Sequence, residues 1–231
     1  MEVPDFNIRG DALMSSREQD TKSALIEAAG VLFAERGFEG ASVRAIAERA
    51  CANVAAIHYH HGSKDQLYAE ALKTAVISMS AAGLRPWLED DSRFQTPADC
   101  ASLIRHIVRE RFHTYFSPAL PAWHTQLVLR SFLEPSPALQ LLVRQEFEPD
   151  LDLLCAILRR ACPRLGEEQA MFFAFSLIGQ IAFYGFAQAP LLVLLDKAEY
   201  DPRFLDAASE HVSHTLLSSL GLPVDSPMLT W

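Results

Sequence analysis

Residues 42–64, SVRAIAERACANVAAIHYHHGSK, constrain the fold more tightly than any other stretch of the chain. Ser42 offers a side-chain oxygen to the unpaired N–H groups that open a helix. Val43, Ile46, Ala47 and Ala50 follow at helical spacing. After a turn at Cys51 and Ala52, Asn53 can cap a second short helix, with Val54 or Ala56 and Ile57 facing inward and His58, Tyr59 and His60 mostly outward. The small Ala55 and Ala56 let that helix lie close to its neighbour. Two short helices joined by a tight turn make a helix-turn-helix, whose second helix enters a DNA major groove.

The flanks support this arrangement. Leu25, Ala28, Ala29, Leu32 and Phe33 form an apolar stripe beginning near Asp20 or Thr21, and Gly37 suits the position just past a helix end. Phe38 and Val43 can pack beneath the motif, giving a three-helix unit of homeodomain-like kind. Ser63 and Gln66 have capping-box spacing, so a fourth helix starts directly after the recognition helix. It runs through Leu67, Tyr68, Ala71 and Leu72 towards Met79, with Pro86 as its limit. Any tilt of this helix must move the reading head.

Later helices are announced by a capping residue followed by proline, at Thr96-Pro97, Ser136-Pro137 and Asp201-Pro202. They predict helices near 97–116, 122–133, 137–161, 167–189 and 202–219, with Pro149 kinking or dividing the third. No stretch keeps a strand's period for long. The expectation is an all-α chain: a mobile arm over 1–17, a helix-turn-helix domain over 18–65, a helical effector-binding and dimerisation domain over 66–220, and a tail over 221–231.

A chain of 231 residues, half of them hydrophobic, can bury a substantial core. The formal net charge of −9 opposes nucleic-acid binding taken alone, but Arg44, Arg49 and Lys64 lie in or beside the motif, and local placement outweighs the total. Cys51, Cys100, Cys155 and Cys162 form no CxxC pair and read as idle thiols in a reducing cytosol. The N-terminal residues lack the basic and apolar runs of a signal peptide. Between Ala170 and Leu195 there is no charged residue, a length sufficient to span a bilayer. Ser176, Gln180, Tyr184 and Gln188 recur there at every fourth position, Pro190 interrupts the end, and no basic flank sets an orientation. A buried helix is the expectation, and no membrane.

TKSALIEAAGVLFAERGFEGASVRAIAERA before the turn and GSKDQLYAEAL after it resemble the N-terminal domain of TetR-type transcriptional regulators, over roughly residues 17–75. PAWHTQLVLRSFLEPSPALQLLV and AFSLIGQIAFYGFAQAPLL resemble the C-terminal domain of the subgroup typified by CecR. The resemblance implies a cytoplasmic bacterial regulator, a repressor acting as a homodimer on a palindromic double-stranded operator and released by a small, fairly apolar effector. It implies DNA contacts from Ser42 and Arg44, from Asn53, Ala55, Ala56 and His58 towards base edges, and from Tyr59, His60 and Lys64 towards phosphates. An arginine solvated beside Glu48 and a Tyr59 ring packed on the fourth helix are the alternatives for those two residues. The family commonly carries glycine at Cys51 and an aromatic residue at His61. A cysteine must bear any positive φ at the turn at some cost, and a histidine weakens the packing below the recognition helix.

In the second half, Phe112, Tyr115, Phe116, Trp123, Phe172, Phe175 and Tyr184 supply ring surface that could line a cavity. His113, His124, Gln126, Arg130, Ser176 and Gln180 are polar groups that could orient a ligand there. The helices near 167–189 and 202–219 are the expected dimer seam. No GxSxG, HExxH, P-loop or GxGxxG arrangement occurs, and Glu110 and His113 form a single ExxH without a second copy. His58, His60 and His61 lack the spacing of a helical metal site. No enzyme, cofactor or metal is expected. The remaining alternative is a ligand-binding or dimerisation module with a decayed helix-turn-helix, which a DNA-binding assay separates.

Overall fold

A computed structural model describes residues 8–79, 84–134 and 137–224. The described residues form helices and connecting turns: α1 (Ile8–Gly40), α2 (Val43–Arg49), α3 (Val54–His61), α4 (Lys64–Met79), α5 (Leu84–Glu89), α6 (Pro97–Tyr115), α7 (Ala122–Leu133), α8 (Pro137–Leu142), α9 (Glu148–Ala161), α10 (Glu167–Phe186), α11 (Gln188–Leu194) and α12 (Pro202–Leu220). The architecture is all-α, an N-terminal bundle with a helix-turn-helix followed by a C-terminal bundle.

The capping signals act where they stand. The Ser42 and Asn53 side chains accept from the Ala45 and Ala56 N–H groups at 3.1 and 2.8 Å and open α2 and α3. Thr96 and Asp99 form a reciprocal capping box, and Asp201 accepts from Phe204 N–H. Ser63 makes the forward half of its box, to Gln66 N–H at 3.2 Å. Gly221 closes α12 in the left-handed conformation, as glycine does at helix ends. Ser136 and residues 1–7 and 225–231, on which a cap, the arm and the tail were expected, lie outside the described residues.

Two boundaries differ from the sequence reading, the start of α1 and the end of α10, and the break at Pro149 falls as expected. α1 begins at Ile8, so residues 8–17 of the expected arm are helical. Pro149, with no N–H to give Gln145, does divide the long helix, and the ladder steps through a π turn over Val143–Phe147 in which Glu148 N–H bonds to Val143 O. The apolar 167–189 stretch breaks at Ala187 into α10 and α11.

Two buried clusters hold the chain. One joins α1 to α4 with Trp123, Leu127 and Val128 of α7 and Leu142 of α8. The other joins α6, α9, α10 and α12 around Phe112, Ile157, Leu177 and Val212. α7 therefore packs into the N-terminal core although it lies far along the chain. Trp123 sits so close to Gly30 that a Cβ there would come within 2.3 Å of the ring. Arg130 of α7 bonds to Ala34 O at 3.4 Å and pairs with Glu134 at 2.8 Å, placing a cation at the C-terminal end of α1's regular turns.

Candidate nucleic-acid interface and effector cavity

The reading head is built from three local devices. Ile46, Ala47 and Ile57 anchor α2 and α3 in the core, leaving their opposite faces in solvent. Cys51 adopts φ +52°, the left-handed turn that glycine would take without strain. His61 is buried below α3, its Nδ1 3.2 Å from Glu70 Oε1, and Glu70 also pairs with Lys22 at 3.2 Å. The expected aromatic position is thus filled by a polar ring facing an α4 carboxylate that also pairs with Lys22 of α1.

Ser42, Arg44, Asn53, Ala55, His58 and Tyr59 are exposed, and Ala56, His60 and Lys64 half-exposed. They share the α2–α3 side of the bundle. Tyr59 is 75 % exposed and leans on the His60 ring rather than on α4. Arg44 pairs with Glu48 at 2.9 Å in solvent, a geometry that an exposed pair gives up at little cost. Lys64 Nζ lies 4.4 Å from the centre of the Phe38 ring, and His58 Nδ1 lies 3.0 Å from Gly62 O.

A cavity of about 710 Å³ lies between α4, α6, α7, α9 and α10. Val76 and Met79 of α4, Val128 and Phe132 of α7, Val143 and Phe147 of the π turn, and Phe175, Ile178 and Ala182 of α10 give it apolar walls. Tyr115 lines it too, and burial pushes its hydroxyl up to about 12, so it is a neutral phenol at physiological pH. Arg111 reaches in from α6 and pairs with Asp150 at 2.7 Å. A larger cleft of about 860 Å³ between α6 and α12 is polar, with Arg109 and Asp206 already paired across it at 2.8 Å.

Of the rings and polar groups expected to line a ligand cavity, Tyr115 and Phe175 line the apolar one. Phe112, Phe116 and Tyr184 instead pack edge-to-face in a ring cluster with Tyr200 and Phe204, Phe112 on Tyr184, Phe116 on Tyr200 and Tyr184 on Phe204. Trp123 fills the space over Gly30, and His124 bonds to Ser78 at 2.6 Å. Arg130 is spent on α1, and His113 bonds to Asp206 at 3.0 Å. Gln126 and Phe172 are exposed, and Ser176 and Gln180 border a shallow groove beside His211. Helical spacing placed these side chains on helices correctly, but what faces each one is decided by remote elements. Val143 and Phe147 were missed, though Pro149 marked the irregular turn that carries them.

α10 also departs from the fully buried helix expected. Phe172, Phe175, Phe183 and Phe186 are 45–56 % exposed in the single chain. By length and composition α10 could cross a membrane.

A three-helix reading head on a helical body with an apolar cavity defines a helix-turn-helix regulator of transcription. Residues 25–71 match the family model described as bacterial regulatory proteins of the tetR family, and residues 101–221 match the C-terminal domain of the HTH-type transcriptional dual regulator CecR. The chain belongs to the TetR family of regulators, with a CecR-type C-terminal domain. It is therefore a DNA-binding protein of the bacterial cytoplasm and not an enzyme. No curated protein matches it. Among crystal structures, it is similar to a transcriptional regulator from Rhodococcus sp. Rha1, with 22 % identity over 89 % of this chain and 99 % of that one, TM-score 0.60. AibR, in complex with isovaleryl coenzyme A and operator DNA, is 15 % identical over 84 % and 97 %, TM-score 0.63. FadR from Bacillus subtilis, in complex with stearoyl-CoA, is 19 % identical over 85 % and 97 %, TM-score 0.61.

Proposed function

We propose that this chain is a repressor that binds a palindromic operator as a homodimer and is released when a small, fairly apolar effector enters the cavity beside α4. The observation that carries this is the position of α4. Its first residue, Lys64, follows the recognition helix by two residues, while Val76 and Met79 near its other end line the cavity. One helix thus touches both sites, and a ligand that shifts its far end moves the reading head. Ser42, Arg44, Asn53, Ala55, Ala56, His58, Tyr59, His60 and Lys64 would meet the DNA. Phe172, Phe183 and Phe186 of α10, with α12 beside them, would form a four-helix seam with a second copy.

A dimer must present its two recognition helices about 34–36 Å apart to enter successive major grooves. An effector lowers affinity by favouring a conformer in which that spacing is wrong, and it must bind the two conformers unequally. Coupling of roughly 1–3 kcal/mol is typical. The test is selection of bound duplexes from a random pool by the purified protein at moderate salt. Enrichment of an inverted repeat with half-sites about one turn apart is expected. Absence of enrichment across a range of salt would leave a ligand-binding module with a decayed reading head.

A further inference from the structure

The apolar cavity is not closed by the chain that forms it. Phe132 of α7, Val143 of the π turn, and Phe175 and Ile178 of α10 line it and are still 37–48 % exposed. Beyond Val143 the border is charged, with the Arg144 and Glu148 side chains 80 % and 53 % exposed. Along α10 it is apolar, and no charged residue occurs between Ala170 and Leu195.

Helical geometry joins that apolar border to the outward face of α10. At about 100° per residue, Phe172, Ser176, Gly179, Phe183 and Phe186 fall within about 40° of one direction, and Phe175, Ala182 and Ile178 follow on one flank at about 60°, 80° and 120° from it. The buried Ala170, Ala174, Leu177 and Ile181 take the remaining side. A second helix packed on the outward face about 8–10 Å away carries side chains that overhang the flanks. That face is also self-complementary. It presents phenylalanine knobs, and beside them a groove of about 500 Å³ between α10 and α12, where a Cβ on Gly179 would meet nothing within 4 Å. Knob and hollow on one surface suit a two-fold pair of identical chains.

We infer that a second copy of this chain, seated on the outward face of α10, roofs the open side of the cavity, so that only the dimer encloses the effector fully. This rests on the reading of the cavity as the effector site and of α10 as the seam. The second copy's phenylalanines add apolar wall beside Phe175 and Ile178. Effector binding and dimerisation then strengthen one another, because linkage is reciprocal. The effector releases DNA by re-spacing the two heads within a tightened dimer, and not by separating the subunits.

The probe is N-phenyl-1-naphthylamine, a neutral dye whose fluorescence rises in apolar surroundings, titrated into full-length protein whose mass is read by sedimentation equilibrium. Phe183→Glu, outside the cavity lining, supplies the monomer at concentrations where the parent is dimeric, and circular dichroism checks its fold. Binding that Ile178→Trp removes is counted as cavity binding. The parent dimer should bind the dye there at least about tenfold more tightly than the monomer, the ratio expected when about 50 Å² more of an apolar probe leaves water. Saturating dye should in turn lower the parent's dimer dissociation constant by about a hundredfold, each of two sites contributing its factor, a reading that needs no variant. Equal affinity in dimer and monomer, or a dimer dissociation constant unmoved by saturating dye, overturns the roof and leaves the effector site and the seam standing. Dye binding that Ile178→Trp does not alter overturns the effector site and the inference with it. A parent that keeps the mass of a single chain at tens of micromolar overturns the seam and the inference together.

Discussion

Tyr59 leaves three-quarters of its surface in water on the outer face of α3, and Arg44 leaves most of its guanidinium there on α2. Neither supports the core, so removing either should cost contact with DNA and little stability. Arg44→Ala and Tyr59→Ala are each expected to weaken operator binding by about tenfold, within the 1–3 kcal/mol of a lost base or phosphate contact. Fluorescence anisotropy measures the affinity, and thermal melting within a few degrees of the parent shows that the fold is kept. Parental affinity in both variants would mean the reading head lies elsewhere. Both residues were legible in the sequence because exposure on a short capped helix follows from local spacing. The turn strain at Cys51 was legible too, since a tight helix-turn-helix needs a positive φ whatever residue supplies it. The partner of His61 was not, because Glu70 reaches it from another helix.

Among the elements, α4 and α7 are joined by a polar contact between Ser78 and His124. Ser78 of α4 lies 2.7 Å from Ala75 O and 2.6 Å from His124 Nδ1. A hydroxyl has one proton, and the carbonyl can only accept, so both contacts are made when Ser78 donates to Ala75 and His124 Nδ1–H donates to Ser78. Burial lowers the His124 pKa, with Glu27 opposing in part. The unfolded chain therefore takes up a proton at higher pH than the folded one. The stability from neutral His124 is fully present above pH about 6.5 and is lost as pH falls through the folded-state value. Urea melts of the parent should lose stability below pH about 6.5 relative to His124→Asn, with a slope of at most about 1.4 kcal/mol per pH unit between there and the folded-state value, and the two profiles should run parallel again below it. Profiles parallel over the whole pH range would refute this account of the α4–α7 contact. The helices themselves were readable from capping residues and spacing, whereas the π turn before Pro149 was foreshadowed only as a break.

For the whole molecule, α10 is the element a single chain leaves unfinished. Phe172, Phe183 and Phe186 project from its outer face, with Ser176 and Gly179 between them. Exposed apolar surface of this kind marks an interaction site, and in the proposed dimer a second copy would supply a matching face by two-fold symmetry. Phe183→Glu buries a charge in that seam and should raise the dimer dissociation constant by a hundredfold or more, the scale of a central interface anchor. Sedimentation equilibrium reads the mass directly. Operator affinity should fall with it, because one head cannot span two half-sites. An unchanged dimer would place the seam on another face.

The sequence by itself determined the helical class, the helix-turn-helix and the starts of the capped helices, because capping, turn chemistry and apolar spacing act over a few residues along the chain. Tertiary structure alone decided which rings are core and which are cavity wall. Phe112 and Phe175 both stand on helices and look alike in sequence, yet one is sealed by Tyr184 and the other looks into a space framed by α4, α7 and the π turn. That difference arises from what lies opposite each ring, which is set by packing between elements far apart in the chain.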